Sequence, residues 1–483
     1  MEIRDFSIGG DATIRSAMEV LNKTLMGIGF VVDGDGKLTG TVTDGDIRRA
    51  LLKGHTISDE VGVAMNRNFV SLPMATSNVD ILKVLSDKVK VIPLVSESGV
   101  LKDYASIRKI RRISVAAPSL GGNELAYVTD CIRTNWISSQ GKYVREFEAK
   151  FSEYHDGYKA LAVSNGTVAL HLALVALGIG EGDEVIVPDL TFAASINAIL
   201  YTGATPVLAD VDADSWNIDP EVIERLITPR TKAIMPVHLY GQPCDMQPII
   251  EIAGAHNLLI VEDAAEALGS LYQSRPVGTF GDVATFSFFG NKTITTGEGG
   301  MVIFRDEAAY ERAAVLRDHG MSKTKRYWHN EVGFNYRLTN LQAAIGVAQM
   351  ERMDEFVDAK RRIAGLYNEE LTKSAHFVLP LGEEVGSKNS YWLYTFLVKA
   401  DSPFSRDELI AFLAANGIES RPVFYPLHEM PPYTQYGKAS ELSRSIAISK
   451  TGISLPSSPI LEKEEVKFIC ERILYYAAHY KNS

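Results

Sequence analysis

Cysteine and long apolar runs are both scarce in this chain. Its 483 residues include three cysteines, Cys131, Cys244 and Cys470, which lie far apart. This spacing supports neither a disulfide framework nor a metal-ligand cluster, and it indicates reduced thiols. The N-terminus lacks the apolar core of a signal peptide, and later apolar runs are too short or interrupted to span a bilayer. We therefore expect a cytoplasmic protein with no membrane partner and no bound metal.

Positive charge is in deficit as well, with 49 Lys and Arg against 60 Asp and Glu, for a net charge of −11. This balance argues against a nucleic-acid partner, but it leaves room for a local basic pocket that binds a phosphorylated small molecule. Hydrophobic residues make up 46% and charged residues 23% of the chain, which is typical of globular proteins. The length predicts about two to four domains.

Residues 1 to 105 contain an imperfect internal repeat, in which each half runs helix, strand, turn, strand and helix. Two β-branched runs flank an Asp-Gly turn at Asp35-Gly36 in the first half, and a Ser-Gly turn takes that place in the second. The pattern resembles a pair of CBS domains. That resemblance implies an N-terminal α+β module that binds an adenine nucleotide or serves as an assembly surface.

Two residues of the first repeat, Thr43 and Asp46 in GTVTDGDIRR, match CBS positions that contact ribose and phosphate. The second repeat departs from this pattern, with Leu101 and Lys102 in the corresponding region. Thr and Asp are also favoured at helix N-caps, and a helix is predicted to begin near Ile47. The sequence therefore leaves the cap role and the ligand role equally open.

A short basic segment, SIRKIRRIS, follows at residues 106 to 114. Its composition favours a solvated connection over a binding role, and we place the linker at residues 106 to 117. From Pro118 onward strands alternate with helices, which is typical of a mostly parallel sheet covered on both faces. The candidate strands are 160–164, 184–188, 205–211, 232–237, 258–263, 283–289 and 301–305.

A helical pattern near residues 338 to 373 ends this large α/β domain, which we place at 118–373. The chain returns with YWLYTFLVKA, continues through the amphipathic stretch SRDELIAFLAANG, and ends in a helix over about 462 to 480. Residues 374–483 are therefore expected to form a smaller α+β domain beside the large one.

In an open α/β sheet, ligands collect outside the carboxyl ends of the strands, so the residues after each strand are candidates for a site. SNGTVALHLAL places Gly166 and Thr167 at a helix start, where backbone amides and a hydroxyl suit a phosphate. An ordinary capped helix start explains the same residues. In PDLTFAAS, Phe192 could stack on a cofactor ring, although a core position is commoner for Phe.

The strand in LLIVEDAAEALGS ends at Glu262-Asp263. A buried carboxylate needs a partner, and for Asp263 a protonated pyridine nitrogen would serve, as would an ion pair or a helix cap. The stretch VATFSFFGNKTITTGEGGM, residues 283 to 301, places Ser287 and Lys292 just past another strand and ahead of a glycine-rich turn. A lysine amine there is a candidate Schiff-base nucleophile, and a solvated surface lysine is the alternative.

Together these junctions offer a phosphate cup, a stacking ring, a carboxylate for a ring nitrogen and an amine for an aldehyde, which is the set that pyridoxal 5'-phosphate requires. Residues 113 to 480 also resemble the sugar-nucleotide aminotransferases of the DegT/DnrJ/EryC1/StrS family, within the fold type I pyridoxal-phosphate enzymes. The motifs that carry the resemblance are NWISSQGKYVREFE, SNGTVALHLAL, PDLTFAAS, PVHLYGQPCDM, VEDAAEALGS, SFFGNKTITTGEGGM and GFNYRLTNLQAAIG.

The resemblance implies a role for each residue of the cofactor site. Lys292 would bind the cofactor covalently, Asp263 would partner the pyridine nitrogen, and Phe192 would stack on the ring. The phosphate contacts would be Gly166, Thr167 and Ser287.

Two further positions follow from the same resemblance. Glu266 occupies the place beside the cofactor's ring hydroxyl where many relatives have Gln or His, and an ionised carboxylate there would repel a phenolate. Asn335, in GFNYR, would reach the phosphate of the neighbouring subunit. The resemblance therefore implies a homodimer with shared active sites.

Within the family, RYWHNEVGFNYR and SRPVFYPLHEMPPY look most like the members that aminate C4 of GDP-4-keto-6-deoxy-mannose. This implies GDP-perosamine as product, L-glutamate as amino donor and a part in O-antigen or other surface polysaccharide biosynthesis. The substrate-side candidates are Tyr327, His329, Arg337 and Arg421, of which the arginines suit phosphate or carboxylate by bidentate contact. Surface or interface packing explains these four residues equally well.

Lys292 also bears on the reaction type, because a sister group of 3-dehydratases carries His at its position. The lysine therefore favours transamination. Two alternatives stay open: an aminotransferase that acts on a UDP- or dTDP-linked ketosugar, and a nucleotide-sensing scaffold whose aminotransferase fold has lost catalysis.

Overall fold

The computed structural model describes residues 3–24, 26–76, 78–86, 89–106, 113–383 and 386–480. The chain divides into two compact units between Arg112 and Ile113. Half of the predicted linker, residues 107–112, lies outside the described residues. The end of that linker is built into the second unit, because the Ile113 amide donates to the Gly417 carbonyl at 2.9 Å and Val115 is fully buried. Within the described ranges, no helix is both long and apolar enough to cross a membrane.

The N-terminal unit contains two three-stranded sheets that share one topology. Its elements are β1 (Ser7–Gly9), α1 (Ile14–Thr24), β2 (Ile28–Val32), β3 (Leu38–Thr43), α2 (Asp44–Leu52), β4 (Leu72–Pro73), α3 (Asn78–Val84), β5 (Val91–Val95) and β6 (Leu101–Ser106). In each sheet the first strand pairs parallel with the second, and the second pairs antiparallel with the third. This topology agrees with the internal repeat. A helix is predicted to close the second half by residue 105, but β6 extends to Ser106, so described residues 89–106 do not contain that helix.

A seven-stranded sheet forms the centre of the C-terminal unit. Its strands are β7 (Lys159–Val163), β8 (Glu184–Pro188), β9 (Thr205–Ala209), β10 (Thr231–Ile234), β11 (Leu259–Asp263), β14 (Val283–Ser287) and β15 (Gly300–Phe304), and a short hairpin of β12 (Leu271–Tyr272) and β13 (Arg275–Pro276) precedes β14. The strand order is β7-β15-β14-β11-β10-β8-β9. Six of these strands run parallel, and β15 runs antiparallel to both neighbours. All seven predicted strands are present, with ends that differ by a few residues.

Helices cover both faces of this sheet, which explains why its strands are apolar on both sides. They are α4 (Glu124–Arg133), α5 (Lys142–Tyr154), α6 (Gly166–Ala176), α7 (Ala194–Tyr201), α8 (Pro220–Leu226), α9 (Met246–His256), α10 (Glu307–Arg317) and α11 (Asn340–Met350). One core cluster contains Leu170 and Leu174 of α6. Another contains Phe147 and Phe151 of α5 together with Phe286 of β14. The site-bearing strands are thus held in a rigid layer between two cores.

A smaller, antiparallel sheet follows in the same unit. The remaining elements are α12 (Met353–Leu371), β16 (Phe377–Val378), β17 (Tyr394–Val398), α13 (Arg406–Ala415), β18 (Arg421–Pro422), α14 (Ser443–Thr451), β19 (Gly452–Leu455) and α15 (Lys463–His479), with strand order β16-β17-β19-β18. Helix α12 belongs to two cores, because Met353 packs with the large sheet whereas Tyr367 and Leu371 pack with the small one. The predicted domain boundary after residue 373 stays a prediction.

Candidate active site

Four predicted junctions follow strands of the central sheet. Asn165-Gly166 follows β7, Phe192 follows β8, Asp263 ends β11 and Ser287 ends β14. Because these four strands run parallel, the junctions share the carboxyl edge of the sheet. The loop after β14 leaves the same edge and carries Lys292. The sheet topology therefore gathers at one edge residues that are far apart in the sequence.

The start of α6 forms a narrow cup beside the end of β14. Asn165 is its N-cap and accepts from the Val168 amide at 3.0 Å, while other amides of the first turn have no partner within the helix. A Cβ on Gly166 would lie 2.9 Å from the Ser287 Cβ, and one on Gly300 would lie 2.6 Å from the Asn165 carbonyl oxygen. Glycine at both positions allows this close approach, and the cup suits an anion.

Asp263, the last residue of β11, is almost completely buried. Its carboxylate accepts from the Ser195 hydroxyl at 2.7 Å and from the Ala265 amide at 3.2 Å. Burial raises the pKa of this carboxyl, whereas the two hydrogen bonds and the charges of Lys292 and His238 lower it. A carboxylate held in this way can stabilise a cationic group at the sheet edge.

Lys292 is not a surface lysine, since its side chain is only 13% exposed. Its Nζ lies 3.6 Å from Glu266 Oε1 and 3.8 Å from the centre of the Trp392 ring. Burial lowers the pKa of the lysine, and the charges of Glu266 and Asp263 oppose this effect. Burial also raises the pKa of Glu266 to about 7, and its second oxygen accepts from the Tyr240 amide at 2.9 Å. The two pKa values are shifted toward one another, which favours proton exchange between the lysine and the carboxyl.

Glu262, next to Asp263, has a structural role. It is fully buried, and its carboxylate lies 3.2 Å from His238 Nε2. The same carboxylate accepts from three backbone amides at 2.8, 2.8 and 2.6 Å, those of Gly278, Phe280 and Gly281. Adjacent side chains of a strand point to opposite faces, so Glu262 anchors the strand end from the side away from Asp263.

Phe192 is 59% exposed, so the alternative of a core position is wrong for this residue. Its ring centre lies 5.8 Å from that of Phe424. Ahead of it, the buried Asp189 carboxylate accepts from the His428 backbone amide at 2.9 Å and lies 2.8 Å from His428 Nδ1. This pair fixes the loop that carries Phe192 to the segment that carries Phe424.

Three of the remaining candidates lie close together in the segment before α11. Asn335 is exposed, and its side-chain oxygen accepts from Arg337 Nε at 3.2 Å. The Arg337 guanidinium pairs with Asp318 at 2.5 Å and lies 3.4 Å from His319 Nε2. His329 Nδ1 lies 2.8 Å from the His319 carbonyl oxygen. His319, which the sequence did not single out, thus joins Arg337 to His329.

The other two substrate candidates lie in different surroundings. Tyr327 is 77% exposed, and the Arg326 guanidinium lies 5.0 Å from its ring centre. Arg421, in β18, pairs with Glu419 at 3.1 Å. A substrate role for either residue stays a prediction.

In the N-terminal unit, Thr43 and Asp46 form a reciprocal capping box at the start of α2. The Thr43 hydroxyl accepts from the Asp46 amide at 3.3 Å, and the Asp46 carboxylate accepts from the Thr43 amide at 2.9 Å. The Asp46 carboxylate also pairs with Arg49. The structure thus shows the cap role, and the nucleotide role stays a prediction.

Comparison with known proteins assigns the C-terminal unit. The model of the DegT/DnrJ/EryC1/StrS aminotransferase family matches residues 118–474. The GDP-perosamine synthase of Caulobacter vibrioides is 51% identical over 355 residues, which cover 74% of this chain and 95% of that protein. The GDP-perosamine synthase of Escherichia coli O157:H7 is 49% identical over 364 residues, which cover 75% of this chain and 98% of that protein. The chain belongs to the DegT/DnrJ/EryC1/StrS family. The CBS domain model matches residues 2–53.

Solved structures of aminotransferases have the same fold. The aminotransferase of Psychrobacter cryohalolentis aligns with a TM-score of 0.72 at 32% identity, covering 76% of this chain and 99% of its own. A Streptococcus pneumoniae protein solved in its pyridoxal-phosphate form aligns with a TM-score of 0.71 at 29% identity, covering 76% and 99%. The predicted fold class is confirmed. As a member of the DegT/DnrJ/EryC1/StrS family, the protein is a pyridoxal-phosphate-dependent sugar aminotransferase.

The residues present fit pyridoxal phosphate. Glycine at positions 166 and 300 lets the start of α6 approach Ser287 and β15 closely. The first-turn amides of α6 are then available to the phosphate. Asp263 is a buried carboxylate of the kind that a protonated ring nitrogen would require. Lys292 is an amine, with a pKa lowered by burial, of the kind that the aldehyde would require.

Sequence reasoning missed three contacts at this site. Ser195, which donates to Asp263, had a signal, because it stands three residues after Phe192 within PDLTFAAS. Tyr240 had a similar signal, because it lies within the motif PVHLYGQPCDM. Trp392 had none, because it reaches the site from a distant part of the chain through the fold alone.

Proposed function

We propose that this protein transfers the amino group of L-glutamate to C4 of GDP-4-keto-6-deoxy-mannose. The product is GDP-perosamine, made in the cytoplasm for O-antigen or other surface polysaccharide. The observation that carries the proposal is 51%, 49% and 48% identity to three relatives named GDP-perosamine synthase, with 95%, 98% and 99% of their lengths covered.

The cofactor residues divide the work of this reaction. When bound, pyridoxal phosphate supplies an aldehyde that exchanges amino groups and a ring that accepts electrons. Lys292 holds the aldehyde and moves a proton at Cα of glutamate and at C4 of the sugar. Burial lowers the pKa of the lysine, which favours the neutral amine that a base requires. Asp263 keeps the ring nitrogen protonated, and the phosphate contacts are Gly166, Thr167 and Ser287.

Glu266 takes the position beside the ring hydroxyl. Burial raises its pKa to about 7, so a large fraction of this carboxyl is neutral at physiological pH. A neutral carboxyl donates a hydrogen bond to a phenolate, whereas a carboxylate would repel it. The raised pKa thereby allows Glu to stand where many relatives have Gln or His.

The active site is shared between two subunits of a homodimer. Asn335 is exposed within its own subunit, which suits a residue that reaches the neighbour's phosphate cup. The same unit exposes large apolar side chains of the kind that subunit interfaces cover. These are Trp136 (54% exposed), Ile137 (51%), Trp328 (54%) and Val332 (91%).

The N-terminal unit adds an adenine-nucleotide site at Thr43 and Asp46. Support comes from the match of residues 2–53 to the CBS domain and from the placement of both side chains at the start of α2. Thermal shifts with AMP, ADP and ATP test this part of the proposal. A melting temperature unchanged by all three nucleotides would count against it.

Identification of the aminated product tests the main proposal. The protein and glutamate are incubated with GDP-, UDP- and dTDP-linked 4-ketosugars, and the products are identified by mass spectrometry and NMR. We expect amination at C4 of GDP-4-keto-6-deoxy-mannose in preference to the others. Preferred turnover of a UDP- or dTDP-linked sugar would change the assigned substrate to that sugar. No turnover of any sugar would favour the non-catalytic scaffold.

The matched control is Lys292→Ala in the same panel. Removal of the amine removes both the attachment point of the cofactor and the group that moves the proton, so turnover should be abolished. A variant that still completes many turnovers with glutamate and a ketosugar would contradict the role of Lys292.

A further inference from the structure

A row of aromatic rings connects Phe192 to Lys292. The ring centres lie 5.8 Å apart for Phe192 and Phe424, 5.3 Å for Phe424 and Tyr240, and 5.9 Å for Tyr240 and Trp392. The last two rings are parallel within 8°. The row ends at the Trp392 ring, 3.8 Å from Lys292 Nζ. The reactive amine therefore lies against an indole face in addition to its acidic neighbours.

Trp392 is fixed in this place by the surrounding backbone. It is 5% exposed, and its Nε1 donates to the carbonyl of Asn291, the residue before Lys292, at 2.8 Å. Its own carbonyl accepts from the buried Lys360 Nζ at 3.0 Å, and that amine also donates to the Ser457 carbonyl at 2.8 Å. The indole is thereby tied both to the loop that carries the reactive lysine and to α12.

The groups that face Lys292 act on its charge in opposite directions. Burial works against the ammonium form, while the carboxyls of Glu266 and Asp263 favour it. Glu266 is itself shifted toward its neutral form by burial, so its support is partial at neutral pH. An aromatic face stabilises a cation without titrating, and the attraction is largest where water is excluded.

We propose that Trp392 is a positioning residue, which holds the Lys292 amine against its indole face and stabilises the ammonium form whenever the lysine is not bonded to the cofactor. The inference deepens the proposed function and rests on the role given there to Lys292. In that role the lysine alternately takes and gives a proton. The indole therefore favours retention of the proton between the two transfers.

The test measures the amine directly in full-length, cofactor-free protein. Tryptophan is replaced during expression by fluorinated analogues, which weaken the π face and keep the size and the N–H of the indole. Trace acetylation with acetic anhydride across a pH range, followed by peptide mass spectrometry, compares Lys292 with the exposed Lys467. Below the pKa of the lysine, fluorination should increase acetylation of Lys292 by about tenfold, graded with the number of fluorine atoms.

Two controls separate this effect from the other three tryptophans. In Trp392→Phe, the same analogues should leave acetylation of Lys292 unchanged. Lys325 Nζ lies 3.8 Å from the Trp328 ring centre at an exposed site, and its acetylation should change much less than that of Lys292. Lys325 and Lys292 are compared in the same fluorinated wild-type protein. This second control can therefore be used even where Trp392→Phe does not fold.

Acetylation of Lys292 that does not respond to fluorination, or that responds equally in Trp392→Phe, would overturn the role of Trp392. The measurement uses neither cofactor nor sugar. Failure of every ketosugar to be aminated would overturn the proposed function and leave this result standing. Lack of response to fluorination would remove the indole's role and leave the proposed function standing.

Discussion

Replacement of Gly166 by alanine tests whether the start of α6 is the phosphate cup. The added Cβ would lie 2.9 Å from the Ser287 Cβ and 3.2 Å from its hydroxyl oxygen. Carbon atoms in contact prefer about 3.5 to 4.0 Å, so the helix start and Ser287 must separate by roughly 0.6 Å or more. Overpacking of this kind costs about 1 to 3 kcal/mol.

Strain in the cup should weaken binding of the phosphate group in particular. The affinity for pyridoxal phosphate should fall about five- to a hundredfold, at about 1.4 kcal/mol per factor of ten. The affinity for pyridoxal, which lacks the phosphate, should change much less. Both affinities are measured by titration of cofactor-free protein, with the visible absorption of the lysine-bound ligand as the signal.

Gly254→Ala is the matched control, because Gly254 lies in α9 and a Cβ there would meet nothing within 4 Å. This variant should leave both affinities unchanged. An equal loss of affinity for the two ligands in Gly166→Ala, or no loss for pyridoxal phosphate, would refute the assignment of the cup.

Three further variants test other parts of the structure. Burial raises the Glu266 pKa from 4.5 to about 7. Between these pH values the native state binds more protons than the unfolded chain. The stability of cofactor-free protein therefore falls as pH rises through this range. Glu266→Gln should remove up to about 3 kcal/mol of that pH dependence in denaturant titrations, and identical pH profiles would contradict the raised pKa. Thr43→Ala should destabilise the N-terminal unit by about 1 kcal/mol in thermal melts, with Thr43→Ser close to wild type, and equal melting of all three proteins would show that the cap contributes little. Asp189→Ala should cost about 2 to 4 kcal/mol, because it leaves His428 buried without its partner, and a loss below 1 kcal/mol in urea titration would mean that the pair does not fix the Phe192 loop.

The sheet is predictable from the sequence because strands buried on both faces appear as continuous apolar runs. EVIVP, for example, is β8 over its whole length. Strand order is not predictable in the same way. β15 follows β14 along the chain, yet it lies antiparallel between β14 and β7, and its pairing depends on contacts that no local pattern encodes. The division of α12 between two cores has the same origin, since its apolar stripe is continuous.

The candidate cofactor residues can be proposed from the sequence where a short motif places a reactive side chain directly after a strand, as for Asp263 and Lys292. The pKa values and the surroundings of the candidate site residues, in contrast, depend on tertiary contacts. The raised pKa of Glu266 depends on its burial, and the surroundings of Lys292 depend on Trp392, which arrives from the C-terminal part of the chain. The proposed partner of Asn335 lies in another subunit. The fold of a single chain therefore does not reveal the role of this residue.

The most direct test of the proposed site is to find which lysine carries the cofactor. The purified protein is reduced with sodium borohydride, digested, and searched by mass spectrometry for the peptide that bears the pyridoxyl group. Lys360 is the informative competitor, because it is 2% exposed and burial lowers its pKa to about 7. We expect a single modified residue, Lys292. Modification of Lys360, or of any lysine other than Lys292, would contradict the active site described above.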